Sequence, residues 1–291
     1  MTRAESPVAL VTGAGSGIGR EIAIALADAG WVVYAGMRDS DGRNRSRAAT
    51  LPPSIRVVAL DVCDDESADL CVRRVLAETG RIDVLVNNAG IMYQGVSEAY
   101  DMDQARLIME TNFFSAVRLN RLVLPAMREH RSGALVHITS IAGSIVFPYA
   151  GLYSASKMAT EGLAQSYRHE LRSFGIDSLV IQPCPYPTNL LDSQQGPRDA
   201  GRLEAYQDLA QIAEKRIAAT AAWHATGKAP SVSEVAHVLL TVLALPFGER
   251  PFRTVAGTMD FGVRQLNAVR DEIEMGVSGY LGTTSGKERQ S

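Results

Sequence analysis

The sequence predicts an α/β protein built on a doubly wound parallel sheet with helices on both faces. Three observations carry that expectation. Short β-branched apolar runs recur along the chain, stretches of helical period separate them, and a glycine-rich turn joins the first run to the first helical stretch. The chain has 291 residues, of which 46% are hydrophobic and 21% charged, with 29 basic against 32 acidic side chains for a net charge of -3. That composition excludes a disordered chain, a collagen-like repeat and a strongly basic nucleic-acid binder. An α/β unit often uses this length as one core, so residues 1–291 are expected to form a single domain.

In chain order, the strands are read at Val8–Val11, Trp31–Ala35, Ile55–Leu60, Val84–Val86, Ala134–Ile138 and Ser178–Ile181. Each is nearly all apolar, as parallel strands covered on both faces must be. Helical patterns lie between them near Gly17–Ala29, Asp65–Thr79, Met102–Arg128 and Tyr153–Ser173. The regularity fails after Pro183, because Pro183, Pro185 and Pro187 fall within five residues and cannot form a central strand. A polar stretch, Asp192–Arg202, follows, and then Leu203, Tyr206, Ala210, Ala213 and Ile217 stand at helical spacing. Residues 185–230 lie beyond the carboxyl end of the sixth strand, so a helical substrate lid is expected there. A plain surface helix hairpin is the alternative. A helix near Val235–Leu245 and a last strand at Thr254–Ala256 complete the body, and 276–291, rich in Gly, Ser and Thr, is expected to be a flexible tail.

Cys63, Cys71 and Cys184 show neither C-x-x-C spacing nor a His at metal-ligand spacing, which points to a reducing compartment and no metal site. The start lacks the apolar stretch of a signal peptide, and no run approaches the ~18 residues of a membrane span. The expectation is a cytoplasmic protein that engages neither membrane nor nucleic acid.

Thr12-Gly13-Ala14-Gly15-Ser16-Gly17-Ile18-Gly19 follows the first strand and runs into the first helix. Glycines there permit a sharp turn, close approach of backbone amides to a pyrophosphate and tight helix packing, while the helix N-terminus favours an anion. Taken alone, the loop could be a simple tight turn; its place between strand and helix favours a dinucleotide. The second strand is followed by Met37-Arg38-Asp39. A carboxylate binds a free ribose 2′-hydroxyl, whereas Arg accommodates a 2′-phosphate, so Arg38 favours NADP(H), with Asp39 and NAD(H) as the alternative. Tyr153 and Lys157, four apart at the start of a helix, share one face. A nearby ammonium is expected to lower the phenol's pKa from about 10 and make it an acid and base near neutral pH; a surface pair without chemistry is the plain alternative. Ser140 and Asn87-Asn88-Ala89-Gly90 each follow a strand's carboxyl end, where such sheets bind ligands.

With these motifs in hand, the chain resembles the short-chain dehydrogenase/reductase family. The matches are Thr12 to Gly19 as T-G-x-x-x-G-x-G, Asp61-Val62, Asn87-Asn88-Ala89-Gly90, Asn112, Ser140 and Tyr153-x-x-x-Lys157, in the family's order over residues 8 to about 190. The resemblance implies a Rossmann-type fold and an oxidoreductase in which Tyr153 is the general acid/base. Lys157 would hold the nicotinamide ribose and depress the Tyr153 pKa, Ser140 would bond the substrate oxygen, and Asn112 would anchor a relay water. It further implies cofactor contacts from Gly13, Ser16, Gly17, Ile18 and Gly19, from Asp61 and Val62 at the adenine, and from Asn88, Ala89 and Gly90. Tyr153, Lys157, Pro183 and Thr188 would serve the nicotinamide half. The helices bearing Asn112 and Tyr153 resemble those that pair in family dimers and tetramers, so a homodimer or homotetramer is expected.

Departures accompany the matches. Pro183-Cys184 stands where the family commonly has Pro-Gly, and Cys184 lacks glycine's conformational freedom. Ser16 occupies a position where some NADP-preferring members carry a base. Val146, Phe147, Tyr149, Tyr186, Leu190, Leu191, Tyr206, Leu209 and Trp223 are candidates for an apolar substrate wall, which points to a hydrophobic ketone, aldehyde or secondary alcohol; any of them could instead pack the lid on the body. The expected function is a carbonyl reductase or the reverse alcohol dehydrogenase. A catalytically silent nucleotide-binding regulator is the other class, although such a protein would be expected to lose Ser, Tyr or Lys. Epimerases and dehydratases of the family usually carry T-G-x-x-G-x-x-G, which Thr12 to Gly19 does not match.

Overall fold

The computed structural model describes residues 6–280, apart from 189, 191–194 and 227–228. Seven strands form one sheet, all pairs parallel, in the order β3-β2-β1-β4-β5-β6-β7. They are β1 (Val8–Thr12), β2 (Val32–Met37), β3 (Ile55–Ala59), β4 (Val84–Asn87), β5 (Gly133–Ile138), β6 (Ile176–Pro183) and β7 (Arg253–Ala256). The order reverses beside β1, so a crevice opens between β1 and β4 at their carboxyl ends.

The strand runs look continuous in sequence, yet the pleat divides them. Ala9 and Val11 pack with Val84, Val86 and Val136 on one face, while Val8 and Leu10 pack with Leu85 and Leu135 on the other. Helices α1 (Gly17–Asp28), α2 (Arg45–Ala49) and α3 (Asp65–Thr79) serve the first half. Asp64 caps α3 by accepting from Ser67 N, and Gly80 ends it in the left-handed region at φ 72°. The long helix expected over Met102–Arg128 is three pieces: α4 (Met102–Met109), a π-helical turn (Glu110–Phe114) and α5 (Ser115–His130). Helix α6 (Gly151–Leu171) then covers β6.

After β6, the single amphipathic pattern of the sequence resolves into α7 (Ala200–Ala205) and α8 (Asp208–Ala225). Gln207, in positive φ at 44°, separates them, and Tyr206 N bonds Leu203 O as α7 closes. Helix α9 (Ser233–Leu243) packs against α1, and α10 (Val263–Tyr280) ends the described chain. Helix α10 is absent from the sequence reading and overruns the expected tail: residues 276–280 are helical, and 281–291 lie outside the described residues.

Leu135 is fully buried in β5, between β4 and β6, so Leu135→Ala leaves a cavity with no strand free to collapse into it. The expected cost is about 3 kcal/mol in urea denaturation. The same change at Leu70, 57% exposed on α3, is expected to cost less than about 0.5 kcal/mol.

Candidate active site

Parallel strands put every carboxyl end on one edge, and the loops after β1, β4, β5 and β6 meet there. The first loop turns through Gly13 (φ 65°) and Gly17 (φ 56°), both left-handed. Ser16, at the N-cap of α1, is extended and its side chain makes no capping bond. The first-turn amides of α1, including that of Ile18, therefore have no side-chain cap and suit a phosphate group. A Cβ on Gly17 would stand 3.5 Å from Thr188, so the loop after β6 closes over the same spot. The β1 and β4 loops are locked together. Thr12 Oγ1 accepts from Asn88 N and Ala89 N, both at 2.9 Å, and Asn88 Nδ2 donates to Thr12 O at 2.8 Å. The carboxyl edge thus has a glycine cradle and uncapped amides that fit a dinucleotide.

Beyond β2, Arg38 is 63% exposed and lies 4.0 Å from Asp61 beyond β3. Buried Val62 follows Asp61, whose Oδ1 accepts from Cys63 N at 3.0 Å. The carboxylate of Asp39 is taken: its Oδ2 accepts from Arg43 N and Arg43 Nε, each at 3.0 Å, and these bonds hold it below the usual carboxylate range. Sequence reading missed Arg43, a second cation in this turn that had no motif to mark it.

At the other end of the crevice, Tyr153 and Lys157 occupy successive turns of α6 and are 5% and 6% exposed. Lys157 Nζ donates to Ile138 O at 3.1 Å and stands 5.8 Å from the Tyr153 ring centroid. A Cβ on Gly90 would be 3.5 Å from that ammonium, which brings the β4 loop against it. Half-buried Ser140 caps the short turn Ile141–Gly143 by accepting from Ala142 N at 3.1 Å, and its side chain faces Tyr153 closely enough to pull the phenol's pKa down. Asn112 sits in the π-turn, where its Oδ1 accepts from Ile91 N at 2.8 Å and its Nδ2 donates to Ile91 O and Ser156 Oγ, each at 2.9 Å. Thr160 donates to the Asn112 carbonyl at 3.0 Å. Asn112 therefore braces the β4 loop against α6.

One expectation is overturned. Lys157 was expected to acidify Tyr153, but burial dominates and pushes the phenol up to about 12, opposed by Ser140. Burial also lowers Lys157 to about 8, with Glu161 acting the other way. The departure at Cys184 is accommodated, since Cys184 is not among the residues with positive φ. It is buried, and its N donates to Ala256 O at 2.8 Å, which continues the β6–β7 ladder past Pro183.

Tyr153 lies in a buried apolar cluster that shares one residue with the expected substrate wall. Tyr153 clusters with Tyr93, Tyr100, Ile108 and Ala142, with Ile91, Met92, Phe147 and Leu152 packed alongside. Tyr93 and Tyr100 stack at 5.1 Å. Among the expected residues, Phe147 joins this cluster and meets Phe261 edge-on at 5.4 Å. Tyr186 is instead buried in the core, its hydroxyl donating to Glu234 at 2.8 Å, and the Tyr206 hydroxyl donates to Glu98 at 2.6 Å. Val146 and Leu209 are exposed, Tyr149, Leu190 and Trp223 are half-buried, and Leu191 lies outside the described residues. Nothing periodic marks Tyr93 or Tyr100 in the sequence; their only signal is that they follow the Asn88–Gly90 loop.

Among the described residues, no group of three or more His, Cys, Asp or Glu side chains is placed to hold a metal, and no helix is long and apolar enough to cross a membrane. The short chain dehydrogenase family model matches residues 7–198. A 3-ketodihydrosphingosine reductase of Bacteroides thetaiotaomicron is 35% identical over 201 residues, 69% of this chain and 72% of that protein. The crystal structure of a short-chain dehydrogenase from Streptomyces avermitilis superposes with a TM-score of 0.74 at 30% identity, covering 97% of this chain and 100% of the other. A variant of the actinorhodin polyketide ketoreductase, solved with NADPH, gives a TM-score of 0.72 at 29% identity over 90% of this chain and 99% of that one.

Gly19 packs where α1 meets the β4 loop: a Cβ there would run into the Asn88 amide nitrogen and lie 2.7 Å from Gly13 O. Gly19→Ala is therefore expected to part the two loops and weaken binding of a nicotinamide dinucleotide at least tenfold by fluorescence titration, about 1.4 kcal/mol.

Proposed function

The chain belongs to the short-chain dehydrogenase family of oxidoreductases, and from that premise we propose that it transfers a hydride between NADP(H) and an apolar carbonyl compound or the matching secondary alcohol. The observation that carries this reading is the meeting of Ser140, Tyr153 and Lys157 at the carboxyl edge, across the crevice from an uncapped helix N-terminus. A bound nicotinamide supplies the hydride. The protein's own part is to hold the substrate oxygen and to move one proton. The Ser140 hydroxyl, beside that of Tyr153, orients the oxygen, and Tyr153 gives it a proton as the carbonyl carbon receives the hydride. Burial favours the protonated phenol, the form that donates to a substrate oxygen. Lys157, beside Gly90 and the β4 loop, is placed to hold ribose hydroxyls. The similar proteins named as a 3-ketodihydrosphingosine reductase and a polyketide ketoreductase support ketone reduction.

Cofactor choice turns on charge. Asp39 is committed to Arg43, while the Arg38 side chain is exposed at the end of β2, so this turn offers a 2′-phosphate cations. NAD(H) is the alternative. Met102, Leu107 and Phe114, apolar and exposed along α4 and the π-turn, fit the pairing of copies in a homodimer or homotetramer.

Tyr153→Phe is expected to lower turnover of a ketone panel about a thousandfold while leaving the NADPH dissociation constant within about twofold; turnover near that of the wild type would refute the proton-donor role. Arg38→Asp is expected to shift the NADPH-to-NADH ratio of kcat/KM about tenfold or more towards NADH, and an unchanged ratio would remove Arg38 from the cofactor site.

A further inference from the structure

Helix α10 is tied to the catalytic end of β5 by a buried polar network that the chemistry above leaves unused. At its centre is Glu161, four residues beyond Lys157 on α6 and 4% exposed. Thr139, the residue before Ser140, donates its hydroxyl to Glu161 Oε1 at 2.9 Å. Gln182, near the end of β6, donates Nε2 to the same oxygen at 2.9 Å and to Ser144 Oγ at 2.8 Å. From α10, Asn267 Nδ2 donates to Gln182 Oε1 at 2.7 Å, and Arg270 donates to Ser144 Oγ at 2.8 Å.

The directions of these bonds favour the ionised form of the acid. An arginine only donates, so Ser144 Oγ accepts from Arg270 and from Gln182 and turns its own hydrogen to Glu161 Oε2, 3.5 Å away. The shorter of Thr139's two contacts also delivers its hydrogen to Glu161 rather than to Ile181 O at 3.3 Å. Three donors thus converge on the carboxyl group; burial pushes Glu161 up, and the bonds from Gln182 and Thr139 oppose it in favour of the ionised form. A buried carboxylate of this kind needs compensating charge. Those facing it are Lys157 on its own helix, Arg253 on β7 and Arg270 on α10. On its side, Lys157 faces Glu161, Tyr153 and buried His137 of β5, whose neutral form is favoured by burial down to about 4.

We propose that Glu161 is a positioning residue that acts through Lys157: its buried charge keeps the Lys157 ammonium protonated and its bond to Thr139 holds the strand end that presents Ser140, while α10 keeps it ionised through Asn267 and Arg270. This rests on the reading of Lys157 as the group that holds the cofactor ribose. Desolvation weakens the hold of an ammonium this enclosed on its proton, and a carboxylate one turn away opposes that. Helix α10 thereby becomes part of the active site's electrostatics without touching substrate.

The test uses the full-length protein. NADPH affinity, read by fluorescence, and kcat/KM for a reduced ketone are followed against pH for the wild type, Glu161→Gln and Arg270→Gln. Lys157 is protonated at low pH and loses that proton as pH rises, so wild-type affinity should fall through a midpoint near pH 8. Glu161→Gln keeps the shape and an acceptor for Thr139 but removes the charge, so the midpoint should move down by about one unit. Arg270→Gln, at the outer end of the network, should move it the same way by less. An unmoved midpoint in a folded Glu161→Gln protein, even with lowered Tm or reduced rate at every pH, would show a merely structural role and overturn the proposal. If Glu161→Gln does not fold, an unmoved midpoint in Arg270→Gln overturns it. A wild type that binds NADPH but reduces no ketone would defeat the proposed function while leaving the binding midpoint to decide the role of Glu161.

Discussion

All the strands of this sheet run in one direction, so every strand in it ends on the same edge. A parallel sheet must be covered on both faces, which fills its interior with apolar side chains and leaves the carboxyl edge as the place where polar loops can meet. The loops after β1, β4, β5 and β6 are brought together by that geometry alone. Thr12 and Asn88 are 76 residues apart in sequence yet share a 2.9 Å hydrogen bond, because β1 and β4 are neighbours in the sheet. Had either strand run the other way, the glycine loop and the Asn88–Gly90 loop would lie on opposite edges.

The same covering that makes the edge also sets the site's electrostatics. Tyr153 and Lys157 project from α6 into a region sealed by α4, the π-turn and the β4 loop, where water cannot solvate charge. Desolvation acts on both in the direction of neutrality, raising the phenol to about 12 and lowering the ammonium to about 8. Their separation along one helix face brings them close, but the medium outweighs the neighbour. A carboxylate one turn further along, itself satisfied by Thr139 just past β5, by Gln182 of β6 and by Ser144, is the element that pulls the other way.

Much of the fold was legible. The six strand positions read from apolar runs in the body of the chain all coincide with strands, since a strand covered on both faces is apolar throughout and flanked by turn residues. Two helices escaped. Arg45–Ala49 is too short to show a period, and Val263–Tyr280 carries exposed Val269, Ile273, Met275 and Val277, so its pattern does not resemble a helix that buries one apolar stripe. Of the apolar cluster around Tyr153, only Phe147 was legible. Tyr186 is as apolar as Tyr93, but it packs in the main core beside α9 whereas Tyr93 packs with Tyr153, and nothing in one chain's order distinguishes the two clusters.

By itself, the sequence determined where strands and helices would alternate, where glycines let the backbone turn sharply into a helix, and that Ser140, Tyr153 and Lys157 would share an edge, because spacing and side-chain type fix local conformation. Only the tertiary structure decided the charges. How far a phenol or an ammonium departs from its ordinary pKa depends on the depth of its surroundings and on partners such as Glu161, Gln182 and Arg270, which the chain's order keeps apart and folding brings within hydrogen-bond reach.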